Sequence, residues 1–197
     1  MDSRGQAEDV GLTNLFEPRG TPVQSPEPVR ELVIDLREPP RYVLPRPAGR
    51  VLFVGSSGGH LAQMLPLAAL WPREARAWVT FDTTDARSQL EGERTFWAHH
   101  PTTRNVKNLL RNGVLATSVL RQVHPDLIVS TGAAVAVPFF AAARAVGIPT
   151  AYLEVYDRID TATLTGRLCR PISSLFMVQW DEQLVSYPGA VKVGHVL

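Results

Sequence analysis

The sequence has a single cysteine, Cys169, among its 197 residues. One thiol excludes an internal disulfide and most cysteine-based metal sites, and it is typical of a reducing, cytoplasmic setting. An excess of charge of one sign is also lacking, because 20 basic and 19 acidic residues leave a formal net charge of +1. Proteins that bind nucleic acid usually carry a strong basic excess, so that function class is not indicated.

Long hydrophobic runs are missing as well. A membrane-spanning helix needs roughly 18 consecutive apolar residues, whereas the longest apolar run here, 133–143, ends at Arg144. The first residues do not resemble a signal peptide, since Asp2, Glu8 and Asp9 stand where a basic region and an apolar stretch are expected. We therefore expect any membrane contact to be peripheral or to depend on a partner.

Residues 1–48 differ in composition from the rest of the chain. They contain eight of the 16 prolines, mixed charges and no sustained periodicity. Such a composition does not bury enough apolar surface to offset chain entropy. The sequence therefore predicts a mostly disordered leader over 1–48 and a folded domain over 49–197. One apolar patch in the leader, at 30–36, is expected either to pair as an edge strand or to dock on a partner.

From residue 50 onward, short apolar runs alternate with helical patterns. The predicted strands are 51–54, 75–81, 94–99, 126–130, 150–155 and 175–178, and the predicted helices are 59–70, 104–123, 135–146 and 164–168. The runs lack polar alternation, which is typical of parallel strands covered on both faces. The sequence thus predicts an α/β fold, with a Rossmann-like doubly wound parallel sheet.

The longest predicted helix, 104–123, carries two patterns of its own. Its apolar residues are expected near one face, and they are Val106, Leu109, Leu110, Val114, Val119 and Leu120. A basic stripe at helical spacing consists of Arg104, Lys107 and Arg111. This stripe is either a solvated face or a site for lipid headgroups.

The first predicted strand runs directly into the turn Gly55-Ser56-Ser57-Gly58-Gly59-His60. Ligands of open α/β sheets bind at the carboxyl ends of strands, and glycines let a ligand approach the backbone. The helix that follows presents unpaired N–H groups. The spacing differs from the dinucleotide G-x-G-x-x-G and from the P-loop, so the turn is either another kind of ligand loop or a tight strand–helix connection.

His60 is the most specific candidate for a catalytic residue in this turn. At a helix N-terminus a histidine is biased towards its neutral form, which suits a general base; the alternative is a capping or packing histidine. A second small-residue turn, Ser130-Thr131-Gly132-Ala133-Ala134, repeats the layout after the fourth predicted strand. The two turns are expected to form two walls of one crevice.

Two charged residues follow the next predicted strand. Glu154 ends an apolar run, where a carboxylate is costly without a partner or a role, so it is expected to bond a sugar hydroxyl or to cap a helix. Arg158 is a candidate for a diphosphate, or a solvated loop residue. The pair His99-His100 has no partner at metal-ligand spacing, so the sequence predicts neither a metal site nor a cofactor.

Together these segments resemble a known family over about residues 50–197. The segments GSSGGHLAQM, STGAAVAVP, YLEVYDRIDTATLTGRL and FMVQWDEQLVSYPGAVKVGHVL follow one another in the family's order. The family is the membrane-recruiting, acceptor-side subunit of the UDP-N-acetylglucosamine transferase of N-glycan precursor synthesis, with bacterial capsule and exopolysaccharide counterparts. It is similar to the N-terminal half of the peptidoglycan N-acetylglucosaminyltransferase MurG, a GT-B enzyme.

The resemblance implies a role for particular residues. It assigns the acceptor's diphosphate to Gly58, Gly59 and His60, and it matches Gly132 and Glu154 to corresponding positions of the family. With the residues reasoned from the turns themselves, the candidate diphosphate site is Gly55, Ser56, Ser57, Gly58, Gly59, His60, Gly132 and Arg158, and the candidate catalytic residues are His60 and Glu154. It places a partner interface at Trp180, Tyr187, Val193, Gly194, His195, Val196 and Leu197. A complete GT-B enzyme needs a second Rossmann-like domain for the nucleotide sugar, so the resemblance implies a separate donor-binding subunit.

The implied function is an acceptor-binding, membrane-recruiting subunit that passes a sugar from a UDP-sugar to a polyprenyl-diphosphate-linked acceptor in polysaccharide synthesis. Eukaryotic members begin with a membrane-spanning helix, whereas this sequence begins with a polar leader. Peripheral contact with the inner face of the cell membrane is therefore expected through the acceptor, the basic stripe or the leader's apolar patch. Two alternatives stay open at this point: a non-catalytic scaffold for a partner glycosyltransferase, and a standalone Rossmann-type enzyme acting on a small molecule.

Overall fold

The structure, a computed structural model, describes residues 49–102 and 105–194. Its strands are β1 (Val51–Val54), β2 (Arg76–Phe81), β3 (Thr95–Ala98), β4 (Leu127–Ser130), β5 (Thr150–Leu153), β6 (Leu175–Val178) and β7 (Val191–Lys192). Its helices are α1 (Gly59–Ala68), α2 (Thr84–Gln89), α3 (Val106–Val123), α4 (Ala136–Val146), α5 (Leu164–Cys169) and α6 (Gln183–Ser186). The predicted leader and its patch at 30–36 lie outside the described residues.

The strands form one sheet in the order β3-β2-β1-β4-β5-β6-β7, and every neighbouring pair is parallel. Strands β1, β4, β5 and β6 are buried along their whole length. Helices α1 and α2 cover one face of the sheet and α3 and α4 cover the other, which explains why the strand sequences lack polar alternation. The predicted doubly wound parallel sheet is confirmed.

The position of β1 in this order places the candidate site. After β1 the chain moves outward to β2 and β3, then crosses back to β4 on the other side of β1. In open α/β sheets such a reversal leaves a crevice between the turns that follow the two central strands. Here those turns are the two glycine turns singled out in the sequence.

Helix α3 does not bury the face that its apolar residues suggested. Val106, Leu110 and Val114 are 69%, 67% and 73% exposed. The buried side of the first half of the helix carries two asparagines instead, Asn108 and Asn112. Asn112 exchanges two hydrogen bonds with the backbone of His99, at 2.8 and 2.9 Å, and Asn108 donates to the carbonyl of Pro101. The prediction of a single apolar face is wrong for the first half of this helix.

Several short elements escape the sequence patterns. Helices α2 and α6 and strand β7 were not predicted, and β7 has only two residues beside β6. Elements of this length show too few residues for a helical or alternating period. In the described parts of the chain, none of the helices combines the length and the apolar character needed to cross a bilayer.

Candidate acceptor site at the switch point of the sheet

The turns after β1 and β4 are joined by two reciprocal hydrogen bonds. Nδ1 of His60 lies 2.9 Å from the carbonyl oxygen of Thr131, and the hydroxyl of Thr131 donates to the carbonyl oxygen of His60 at 2.9 Å. The structure thus brings together the two turns that the sequence predicted as walls of a crevice. Thr131 itself was not singled out, because only the folded sheet sets it opposite His60.

Burial favours the neutral form of His60, and the bond to Thr131 determines which ring nitrogen carries the proton. Burial lowers the pKa of His60 below its ordinary value, against smaller raising effects from the Thr131 carbonyl and the charge of Asp157. A carbonyl oxygen only accepts, so Nδ1 carries the proton of the neutral ring. Nε2 is then the ring's unprotonated nitrogen, which is the state a general base requires.

In the turn 55–60, each glycine is accommodated for a different reason. Gly55 is buried, and a Cβ there would come within 2.6 Å of Cε of Met64. Gly58 has φ +71°, in the left-handed region that favours glycine. Gly59 begins α1 with a φ outside that region, and no described atom lies within 4 Å of a Cβ built on it.

The space that a Cβ would fill at Gly59 is therefore open. Ser56 and Ser57, which precede the two exposed glycines, are half-buried. The side chain of Asp85 also reaches this turn. Its pKa is lowered chiefly by the Thr83 hydroxyl, and the N–H of Gly58 contributes to the same shift.

Beside His60 lies a cavity of about 170 Å³, called here the His60 cavity. Gly132 has φ +118°, and a Cβ on it would stand 2.8 Å from the Tyr152 hydroxyl and 3.1 Å from Cε1 of His60. A side chain at this position would therefore crowd both the tyrosine and the histidine. The cavity is lined by His60, Ala133, Tyr152, Val155, Asp157, Arg158, Thr163 and Thr165.

Glu154 does not line this cavity. Its side chain is fully buried, and its carboxylate accepts hydrogen bonds from the hydroxyls of Tyr187 and Thr163 and from the N–H of Val155. Burial raises the pKa of Glu154, while the Tyr187 bond and the other hydrogen bonds lower it. The expectation that Glu154 meets a substrate hydroxyl does not fit this placement; the carboxylate holds the C-terminal segment against the end of β5.

A second polar brace holds the loop that carries Asp157 and Arg158. The side-chain amide of Gln183 donates to the carbonyls of Val155, at 2.8 Å, and Arg158, at 3.1 Å. Its oxygen accepts from the backbone N–H groups of Gln179 and Trp180. The sequence reasoning missed this residue, whose four partners become neighbours only in the fold.

The predicted interface residues fall into three groups. Tyr187 and Val193 are buried, so their side chains do not offer a surface to a partner in this fold. Trp180 and Gly194 are half-buried, and Nε1 of Trp180 donates to the carbonyl of Tyr156 at 2.7 Å. The other three, His195, Val196 and Leu197, lie outside the described residues. Within the described ranges no cluster of three or more metal-ligating side chains occurs.

Comparison with known proteins gives a family for this arrangement. The family model described as "Oligosaccharide biosynthesis protein Alg14 like" matches residues 94–196, just over half of the chain. The mouse protein named "UDP-N-acetylglucosamine transferase subunit ALG14" is 25% identical over 190 residues, covering 80% of this chain and 88% of the relative. The rat protein of the same name is 27% identical over 186 residues, covering 79% of this chain and 86% of the relative.

Among solved structures the chain is similar to MurG of Acinetobacter baumannii, with a TM-score of 0.59 and 18% identity. The match covers 74% of this chain but only 44% of the MurG chain, so this chain spans less than half of that enzyme. At this level of identity the likeness shows the fold. The predicted equivalence to one half of a GT-B glycosyltransferase is confirmed at the level of architecture.

Proposed function

The chain belongs to the Alg14-like family of oligosaccharide biosynthesis proteins, and from this premise we propose that it is the acceptor-binding, membrane-recruiting subunit of a two-component glycosyltransferase. The transferred sugar would come from a UDP-sugar bound by the partner subunit. The acceptor would be a polyprenyl-diphosphate-linked sugar in polysaccharide synthesis. The names of the mouse and rat relatives, which are transferase subunits, support the division into two chains.

The observation that carries the proposal is the pairing of His60 with Thr131 across the switch point. It holds a neutral imidazole at the carboxyl edge of the sheet, with Nδ1 engaged and Nε2 unprotonated. In sugar transfer the attacking hydroxyl of the acceptor must lose its proton. We assign that step to Nε2 of His60, and a general base of this kind contributes typically 10²–10⁴-fold to a rate.

The glycine turn supports the binding of the acceptor's diphosphate. The first N–H groups of α1 have no intrahelical partners and carry a partial positive charge. Gly58 and Gly59 are exposed, and Gly59 is required neither by its φ nor by any described neighbour. An anion resting on the backbone there would explain Gly59, with Arg158 of the His60 cavity supplying positive charge.

The partner subunit would complete the site from above the carboxyl edge of the sheet. His60, Asp157 and Arg158 lie at that edge, where a second domain would enclose them. Of the predicted interface, Trp180 and Gly194 retain the exposure that a contact needs. We propose that these two residues and the segment 195–197 meet the partner, and that Tyr187 and Val193 support them from the core.

Helix α3 supports peripheral contact with the inner face of the cell membrane. Its exposed apolar residues Val106, Leu110 and Val114 recur every four positions and so form one stripe. Lys107 and Arg111 of the predicted basic stripe run beside them, while Arg104 lies outside the described residues. The helix sequence contains no acidic residue. An amphipathic face with apolar and basic residues suits the surface of an anionic bilayer.

The test is a transferase assay with membranes as the acceptor source and a panel of radiolabelled UDP-sugars. It compares the full chain alone, the chain with its donor-binding partner, and the pair carrying His60→Asn. Asparagine keeps an N–H for the Thr131 carbonyl but has no base equivalent to Nε2. The matched control is His124→Asn, since His124 is exposed at the C-terminus of α3, on the opposite edge of the sheet, and its φ of +48° is one that asparagine tolerates.

We expect label in the lipid fraction only when both proteins are present, with a 10²–10⁴-fold loss for His60→Asn and none for His124→Asn. Full activity of the His60 variant would reduce this chain to an acceptor holder or a scaffold. Activity of the chain alone would instead place the donor site on this subunit.

A further inference from the structure

The Tyr152 hydroxyl is the most conspicuous polar group that the proposed base mechanism leaves unused. Tyr152 lies in β5 and is fully buried, and its hydroxyl has no hydrogen-bond partner among the residues that the structure describes. The ring is held by Phe176, stacked at 4.8 Å between centroids, and by the edge of Phe140 at 6.0 Å. Rotation into another environment would break both contacts.

An unpaired buried hydroxyl has a cost. Leaving such a group without a partner opposes folding by about 1–3 kcal/mol, and phenylalanine would make the same ring contacts without it. The neighbouring hydroxyl of Thr163 donates to Glu154 and accepts from the N–H of Gly166, and it lies near enough to the Tyr152 hydroxyl to lower the pKa of the phenol. The protein packing therefore gives the Tyr152 hydroxyl a polar neighbour but no hydrogen bond of ordinary geometry.

The hydroxyl is directed to the candidate site. Tyr152 lines the His60 cavity, and the hydroxyl lies 2.8 Å from the point where Gly132 would carry a Cβ, with Cε1 of His60 3.1 Å from the same point. The tyrosine and the proposed base thus reach the same space past a residue that has no side chain.

We propose that the Tyr152 hydroxyl binds a hydroxyl group of the acceptor's sugar, next to the hydroxyl that His60 deprotonates. The proposal rests on the function proposed above and names the sugar-binding part of that site. The diphosphate would lie on the glycine turn, and the His60 cavity would take the sugar to which it is linked.

The chemistry of the cavity favours a sugar over a phosphate at this point. The residues that line it include Asp157, Arg158 and Thr165, whose side chains carry a carboxylate, a guanidinium and a hydroxyl. Sugar hydroxyls both donate and accept, so they suit a mixed set of this kind, whereas a carboxylate repels phosphate. Burial raises the pKa of Tyr152 well above its usual range, so the phenol stays neutral and can donate as well as accept.

The experiment compares two substitutions, Tyr152→Phe and Tyr187→Phe, each of which removes one phenolic hydroxyl. The Tyr187 hydroxyl donates to the buried carboxylate of Glu154, so its loss should lower the thermal midpoint of the full chain. Loss of the unpaired Tyr152 hydroxyl should leave the midpoint unchanged or raise it. In the assembled pair, Tyr152→Phe should lower kcat/KM for the lipid acceptor by about tenfold.

A second arm needs no transferase activity. Glucose, galactose, N-acetylglucosamine and glucuronic acid are titrated as free sugars against the full chain, and the thermal midpoint is followed. We expect at least one sugar to raise the midpoint of the wild-type chain and to lose this effect in Tyr152→Phe. This arm separates the two proposals, because the sugar response would persist if the transferase assignment failed.

Three results would overturn the role of Tyr152. A midpoint for Tyr152→Phe as low as that of Tyr187→Phe would mean that the hydroxyl has a structural partner. An unchanged kcat/KM for the acceptor would mean that it does not touch the substrate. Equal sugar responses in wild type and Tyr152→Phe, or none in either, would mean that the cavity does not bind sugar through this group.

Discussion

The two walls of the candidate site use their polar groups in opposite ways. The switch-point wall consists of the turns 55–60 and 131–133, and the braced wall consists of 153–158, 163–166 and 179–187. In the braced wall, Glu154 accepts from three groups and Gln183 makes four hydrogen bonds. In the switch-point wall, two glycines and the start of α1 face outward with room beside them.

This difference indicates that the braced wall stabilises the fold, whereas the switch-point wall is available to bind a ligand. Buried polar groups that are fully paired rigidify a fold, and the braced wall pins the end of β5, the loop with Arg158 and the C-terminal segment to one another. Polar groups left without protein partners are available to a ligand. Tyr152 joins the two walls, because it belongs to β5 yet sends its hydroxyl to the space beside His60.

The largest expected effect comes from breaking the braced wall at Gly166. A Cβ on this residue would overlap the Tyr187 hydroxyl and the Glu154 carboxylate, and would stand 2.9 Å from the hydroxyl of Thr163. Overpacking and the loss of hydrogen bonds to a buried carboxylate should together lower the free energy of unfolding by about 3 kcal/mol. Thermal denaturation of Gly166→Ala followed by circular dichroism measures this.

The control for that substitution is Gly113→Ala, in the middle of α3. No described atom lies within 4 Å of a Cβ at Gly113, so alanine should raise stability by about 0.5–1 kcal/mol through helix propensity. If Gly166→Ala melted like wild type, the carboxylate network would not brace this wall.

The parts of the fold that the sequence predicted are those fixed by local pattern. Strands β1, β4, β5 and β6 are buried on both faces and therefore appear as uninterrupted apolar runs. The buried side of α3 was missed because Asn108 and Asn112 replace apolar residues there, and their hydrogen bonds to the loop after β3 are not visible in a hydrophobic period.

The residues of the candidate site were likewise predicted only where the signal is local in the sequence. The strand–glycine–helix order pointed to the turn at 55–60 and to His60, since one short segment contains the whole signal. Tyr152 could not be separated from an ordinary strand residue until its hydroxyl was seen without a partner. Asp157 was passed over although it adjoins Arg158, and its effect on His60 depends on the loop after β5 coming close to the turn after β1.

A smaller effect should follow from Gly59→Ala in the switch-point wall. The fold should accept this change, because φ at Gly59 is outside the left-handed region and alanine favours the first turn of α1. A methyl group there would hold the acceptor's diphosphate away from the backbone, so KM for the lipid acceptor should rise about tenfold, or 1.4 kcal/mol. An unchanged KM with normal stability would mean that the turn only connects β1 to α1.

The smallest expected effect concerns the outer face of α3, which we propose to contact the membrane. The first residues of α3 lie at the same carboxyl edge of the sheet, with Arg111 beside the apolar stripe of Val106, Leu110 and Val114. A basic residue near an anionic bilayer contributes about 1 kcal/mol, so Arg111→Gln should lower binding to phosphatidylglycerol vesicles about fivefold in a sedimentation assay. Arg50→Gln is the control, because Arg50 is exposed and directly precedes β1, at the opposite edge of the sheet. Equal losses for both variants would indicate general charge attraction, and binding retained by both would move the membrane contact away from α3.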